Sequence, residues 1–223
     1  MGQDLTLTSS DGFKLGAYRA DPKGTPKGAI VVIQEIFGVN HHIRAVTDRL
    51  ADEGYVAIAP AVFDRMEKNF QTGYTPDDIA KGREIATKAD RPAMMRDTQA
   101  AIDAVKGVGK VGITGFCMGG TITFLAAAQS SGLSAAVAYY GGQIAQAADQ
   151  KPKVPLMMHF GEKDAGIPMP DVEKIKSKQP TAEIFVYENA QHGFHCDERA
   201  SYDKKSAETA WARTLDFFAK NLK

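Results

Sequence analysis

The chain has 223 residues, with 27 basic and 27 acidic side chains and no formal net charge. Hydrophobic residues make up 43% and charged residues 24%, a balance that excludes disordered and fibrous classes and suits one globular domain over residues 1–223. Neutrality leaves no basic footprint for nucleic acid or an anionic membrane surface, and no apolar run approaches the roughly 18–20 residues a membrane-spanning helix needs.

The opening Met1-Gly2-Gln3-Asp4-Leu5-Thr6 has neither the charged nor the apolar region of a signal peptide. Two candidate strands, Leu5 to Thr8 and Phe13 to Tyr18, flank Ser10-Asp11-Gly12, a hairpin signal. Ala29 to Gln34 reads as a strand buried on both faces. Asn40 then caps a helix running to Glu53 and stopped by Gly54, with Ile43, Val46 and Leu50 on one face. Tyr55 to Ala59 is the next strand, ended by Pro60. The stretch Asp64 to Arg91 is the least regular and is expected to be a cap or lid. A helix from near Pro92 to Val105, a strand Lys110 to Thr114 and a helix Met118 to Gln129 follow. Strands Leu133 to Tyr140 and Val154 to Phe160, a short helix Asp171 to Ser177, a strand Ala182 to Tyr187 and a helix Ser201 to Lys220 complete the chain. This alternation predicts an α/β fold: a twisted sheet of about seven or eight strands, antiparallel at its start and parallel after it, with helices on both faces. Tyr139, Tyr140 and Trp211 read as packing residues.

The chemistry concentrates in Val111-Gly112-Ile113-Thr114-Gly115-Phe116-Cys117-Met118-Gly119-Gly120. An apolar strand, Gly-x-Cys-x-Gly-Gly and a helix form the nucleophile-elbow pattern with cysteine in place of serine. Glycines are needed because the turn is tight enough for flanking side chains to clash. The first N–H groups of the helix face an oxyanion, and its dipole favours negative charge at the thiol. The competing reading is a buried cysteine or a phosphate-binding loop. A nucleophile of this kind needs a base and an orienting acid, which in this arrangement follow it in the order acid, then histidine. Asp164 stands in the loop after the strand ending at Phe160, with Asp171 as a rival. His192 stands in the loop after the strand ending at Tyr187, with His195 as a rival; Gly193 allows a close turn there. His41 and His42 precede the nucleophile, and His159 lies inside a strand. At the end of the strand Ala29 to Gln34, Gln34-Glu35-Ile36-Phe37-Gly38 occupies the position of the second oxyanion donor. The Ile36 and Met118 N–H groups are therefore the expected oxyanion hole, and Phe37 is expected to touch substrate. Glu35 is either a salt-bridged structural acid or a second acid that governs ionisation of Cys117.

Together, Gln34-Glu35-Ile36-Phe37-Gly38, Gly115-Phe116-Cys117-Met118-Gly119-Gly120, Gly161-Glu162-Lys163-Asp164 and Gln191-His192-Gly193-Phe194 resemble the dienelactone hydrolase family from about residue 10 to the C-terminal helix. The resemblance implies an α/β-hydrolase fold and a Cys117–His192–Asp164 triad. It also implies that Glu35 takes part in activating the thiol when substrate binds, and that neither cofactor nor metal is needed. The prototype reaction is hydrolysis of a dienelactone to maleylacetate (carboxymethylenebutenolidase activity). Two arginines hold the substrate carboxylate in the prototype. Arg83 matches one; the other position, four residues after the histidine, is Cys196 here, and the sequence leaves open whether Arg199 takes that place. Thr87 and Gly193 stand where the prototype has tyrosine and serine.

The expected chemistry is acyl transfer from a small lactone or ester through a Cys117 thioester. The alternatives are a broader carboxylesterase or thioesterase on the same triad and a non-catalytic, redox-sensing thiol protein. Two cysteines are too few for a disulfide scaffold, so a reduced, cytoplasmic chain is expected; the expected state is a monomer acting on a small molecule.

Overall fold

The computed structural model describes residues 2–223; Met1 of the N-terminal reading lies outside them. In chain order the elements are β1 (Gln3–Thr8), β2 (Lys14–Ala20), β3 (Ala29–Ile33), α1 (His41–Asp52), β4 (Val56–Pro60), α2 (Pro76–Lys88), α3 (Arg91–Val105), β5 (Val111–Phe116), α4 (Met118–Gln129), β6 (Leu133–Tyr139), α5 (Ile144–Ala147), β7 (Leu156–Gly161), α6 (Met169–Lys178), β8 (Glu183–Tyr187) and α7 (Lys204–Asn221). The eight strands form one sheet in the order β1-β2-β4-β3-β5-β6-β7-β8. β2 pairs antiparallel with both β1 and β4, and every other pair is parallel.

The β1–β2 hairpin closes where the Asp-Gly signal stands, with Gly12 at φ 82° and the Ser9 N–H donating to the Phe13 carbonyl at 2.8 Å. β3 and β4 are buried at every residue, which explains why they read as continuous apolar runs rather than alternating ones. Asn40 caps α1 by accepting from the Ile43 N–H at 3.3 Å, and Gly54 leaves the helix at φ 96°. α7 docks on β5 at Gly112, where a methyl group would fall 2.6 Å from the Phe218 ring.

The segment expected to be irregular holds α2. Its start was encoded: Thr75 and Asp78 form a reciprocal capping box with Pro76 in the first turn. Its apolar periodicity is weak because only Gly82 and Ile85 are buried. The helix presses on the loop after β3 at Gly82, where a Cβ would lie 2.6 Å from the Ile36 carbonyl oxygen. The same segment is tied to that loop by the Thr72 N–H donating to the Phe37 carbonyl at 3.1 Å and a bridge between Gly38 and Gln71. It therefore does cover the ends of the central strands, as a cap would. No helix among the described residues is long and apolar enough to cross a membrane.

Candidate active site

Parallel strands deliver their following loops to one edge of a sheet, and the predicted residues converge there. Cys117 sits between β5 and α4 at φ 55° and ψ −116°. This left-handed backbone is costly for a side-chain-bearing residue and is sustained only by surroundings that over-determine it. Those surroundings are close-packed: a Cβ on Gly119 would fall 2.3 Å from the Ile33 carbonyl oxygen, and one on Gly115 2.3 Å from the Gly119 carbonyl oxygen. The glycines let β3, β5 and α4 meet without side chains between them.

His192, in the loop after β8, places Nδ1 2.7 Å from Asp164 Oδ2, in the loop after β7. Asp164 is buried, and its other oxygen accepts from the Gly166 N–H at 2.8 Å. Burial opposes a charged imidazole, but the Asp164 carboxylate and the Cys117 thiol beside it outweigh that and push the His192 pKa up to about 10. The rival His195 is buried and stacked on Phe116 at 5.2 Å, and burial drives its pKa well down. Asp171 lies in the first turn of α6, and His159 is buried within β7 between Thr214 and Tyr187.

Cys117, His192, Ile36 and Met118 line one cavity of about 450 Å³. Met118 is the first residue of α4, so its N–H has no acceptor within the helix. The Gly120 and Thr121 N–H groups turn back to the Cys117 carbonyl at 3.0 and 3.3 Å. The rest of the wall is mostly apolar, with Ala86, Ala89, Met94 and Ile122 from α2, the α2–α3 turn, α3 and α4. Arg91, at the start of α3, is the one guanidinium on it among the described residues; it contacts Gln143, another wall residue. A wider cleft of about 550 Å³ beside β1 and β2 contains neither a thiol nor an imidazole.

Two expected substrate contacts are not brought to this cavity. Arg83 points from the exposed side of α2, because the helix turns Gly82 and Ile85 inward. Phe37 is buried, with its ring edge-on to Tyr74 at 4.7 Å and under the Arg199 guanidinium at 5.6 Å. Glu35 is fully buried and paired with Arg199, whose Nη1 donates to Oε1 at 3.1 Å; the Tyr74 hydroxyl reaches Oε2 at 3.4 Å. Burial works against the Arg199 charge, and Glu35 more than offsets it. Gly193 makes this pairing possible, since a Cβ there would fall 2.4 Å from Arg199 Nη1. The sequence reading missed Tyr74 and Arg91. Tyr74 had only an aromatic in a loop to signal it, while Arg91 stood at a predictable helix start, just before Pro92.

Residues 15–222 match the family described as the dienelactone hydrolase family. The chain is 34% identical to the carboxymethylenebutenolidase of Pseudomonas putida, covering 97% of this chain and 96% of that one. A candidate dienelactone hydrolase from Klebsiella pneumoniae superposes with a TM-score of 0.84 at 35% identity, over 99% of both chains. The Pyrococcus furiosus esterase Pf2001 shares the fold at a TM-score of 0.75 and 15% identity, over 100% of this chain and 93% of that one. The chain belongs to the dienelactone hydrolase family and carries its α/β-hydrolase fold.

Proposed function

We propose that the protein hydrolyses a small lactone or ester by nucleophilic catalysis at Cys117, with chemistry of the dienelactone-to-maleylacetate type. The observation that supports this most directly is Cys117 at φ 55° on the wall it shares with His192, itself held 2.7 Å from Asp164.

The Cys117 thiolate attacks the substrate carbonyl carbon. The resulting oxyanion receives hydrogen bonds from the Ile36 and Met118 N–H groups, whose dipoles are already oriented when the charge develops. Collapse breaks the bond between the acyl carbon and the ring or ester oxygen. That oxygen takes the proton held on His192, leaving an acyl thioester on sulfur. His192, now neutral and oriented by Asp164, removes a proton from water as the water attacks the thioester. The thiolate leaves and the carboxylic acid product forms. A stabilised leaving oxygen, as in an enol lactone, suits this scheme better than an amide nitrogen.

Glu35 acts in this reading as a carboxylate held in reserve. Arg199 occupies it in the resting site; an anionic substrate drawing on Arg199 releases it to take the thiol proton, which it returns to the sulfur after the thioester is hydrolysed, while His192 recovers its own proton from the attacking water. Arg91, rather than Arg83, supplies the cation on the cavity wall. The predominantly apolar wall favours a second reading, a broader carboxylesterase or thioesterase on the same triad.

The test follows the ultraviolet absorbance of cis- and trans-dienelactone, with p-nitrophenyl acetate in parallel. Turnover of roughly 10⁴ M⁻¹s⁻¹ or more with dienelactone, falling at least about a thousandfold in Cys117→Ala, is the expected result. Turnover of the neutral ester alone would select the second reading. Unchanged activity in Cys117→Ala would refute both.

A further inference from the structure

Behind the cavity lies a group of side chains that the reaction does not use in full. Glu35, His42 and Cys196 come from the loop after β3, the first turn of α1 and the loop after His192, and all three are buried. One ligand-type atom from each, a carboxylate oxygen, an imidazole nitrogen and a sulfur, lies within 4.8 Å of the other two. His42 is 1% exposed, yet neither ring nitrogen has a hydrogen-bond partner among the described residues. A buried imidazole with no hydrogen bond is expensive, and this one faces two of the commonest companions of histidine in metal sites.

We infer that Glu35, His42 and Cys196 form a three-ligand site for a borderline divalent cation of the zinc type. The donor set of one nitrogen, one thiolate and one carboxylate is the mixture such ions take, with a fourth position left open. Ligands on one zinc ion stand roughly 3.5 Å apart at ordinary bond lengths, so side-chain shifts of about an ångström close the group. A carboxylate also stands near: Asp197 Oδ1 lies 3.4 Å from His42 Nδ1 without forming a hydrogen bond, close enough to orient the imidazole through that nitrogen once the other ligates. Binding forms a metal–sulfur bond and releases the Cys196 thiol proton to solvent. The two anionic ligands then offset the charge of the ion, and Arg199 gives up its 3.1 Å hold on Glu35 Oε1 or shares that carboxylate with the ion. One consequence rests on the function proposed above: an ion here occupies the carboxylate held in reserve for Cys117 and so inhibits hydrolysis.

The ion and the catalytic thiol are separated by a spectroscopic test. The chain has two cysteines, so in Cys117→Ser protein any thiolate-to-cobalt charge-transfer band must come from Cys196. Titration of Cys117→Ser with Co2+ is expected to give this band at one equivalent. The band should be lost in Cys117→Ser/Cys196→Ala, and Zn2+ should displace the cobalt. In Cys117→Ser/His42→Gln, affinity should fall at least tenfold, and this variant serves if the cysteine double variant does not fold. A band in the wild type that vanishes in Cys117→Ser puts the ion on the nucleophile and overturns the site. So does the absence of a band in Cys117→Ser, or unchanged affinity in Cys117→Ser/His42→Gln. The inhibitory consequence is read separately: Cys196→Ala should need at least tenfold more Zn2+ for half-inhibition of ester turnover, and equal sensitivity refutes it while leaving the cobalt result to stand.

Discussion

The turn that carries Cys117 and the segment that caps it are held in different ways. The turn between β5 and α4 is held by backbone meeting backbone: Gly115, Gly119 and Gly120 each stand where a Cβ would come within 2.3 Å of a carbonyl oxygen. The cap, from Asp64 to the start of α3, adds to its backbone ties with the loop after β3 a set of side chains reaching across, such as Asn40 Nδ2 donating to the Thr72 carbonyl and to the Tyr74 hydroxyl, both at 3.1 Å. In the proposed reaction the turn sets where a carbonyl is attacked. The cap supplies Ala86, Ala89 and the adjoining Arg91 to the wall, and so bears on which molecule arrives.

The comparison predicts unequal responses to small changes. The largest is expected at Gly119→Ala, whose added methyl meets the Ile33 and Gln34 carbonyl oxygens at 2.3 and 2.5 Å. Neither is the tip of a flexible side chain, so the backbone must move. Overpacking of this kind costs about 3 kcal/mol, and because the Met118 N–H and the Cys117 sulfur move with the turn, ester turnover should fall at least about a hundredfold. Thermal melting and kcat on one preparation check this; a variant with native melting and native turnover would show that the turn is less constrained than its packing implies.

Acid should act on the sheet that carries the turn before it acts on the cap. His159, in β7, is fully buried between the Tyr187 hydroxyl at 2.9 Å and Thr214 Oγ1 at 3.2 Å. Burial, followed by the nearby Arg213 charge, lowers its pKa to about 3 from the ordinary 6.5. The unfolded chain therefore takes up this proton first as pH falls, so the stability is present above about 6.5 and is lost toward 3. At pH 4.5 the loss is about 3 kcal/mol, at about 1.4 kcal/mol for each pH unit. His192 has the opposite sign: its raised value, about 10, contributes stability that is complete below about 6.5 and disappears as pH rises through 10. Denaturant melts from pH 4.5 to 10 test both limbs, and His159→Gln should flatten the acid one.

On the cap side, effects should fall on recognition. Arg91→Ala is expected to raise KM for an anionic ester about tenfold with kcat little changed, the signature of binding shared by ground and transition states. KM for a neutral ester should stay put, and Arg83→Ala should alter neither because that side chain faces away from the cavity. A fall in kcat in Arg91→Ala would mean that the cap reaches into the chemistry itself.

The same division explains what the sequence revealed. Gly-x-Cys-x-Gly-Gly is legible because its constraints are local: the clashes that demand glycine lie among β3, β5 and α4, and each strand announces itself by its apolar run. Asp164 and His192 were legible from their loops, since parallel strands leave their C-terminal ends on one edge. Arg83 and Phe37 misled because helix rotation and ring packing decide where a side chain points, and neither is visible in residue spacing. Arg199 shows this most clearly. Its distance along the chain from His192 gave no hint of its pairing with Glu35, which depends on the room that Gly193 leaves for the guanidinium.

The smallest expected effect tests whether the two regions are energetically separate. Thr75 Oγ1 accepts from the Asp78 N–H at 3.2 Å, and Asp78 Oδ2 accepts from the Thr75 N–H at 3.1 Å. Thr75→Ala removes half of this box and should cost about 1 kcal/mol. In a chain of this length that lowers Tm by about 2–4 °C if the whole fold shares the loss. If α2 opens by itself, Tm moves less, and the loss appears as faster amide exchange confined to residues 76–88. Exchange in β5 and α4 should then be unchanged, kcat should hold, and KM should rise slightly as Ala86 loosens on the cavity wall. Equal acceleration in α2 and α4 would mean that the contact between Gly82 and the Ile36 carbonyl couples the two regions into one cooperative unit. Specificity could then not be altered at the cap without also moving the Ile36 N–H.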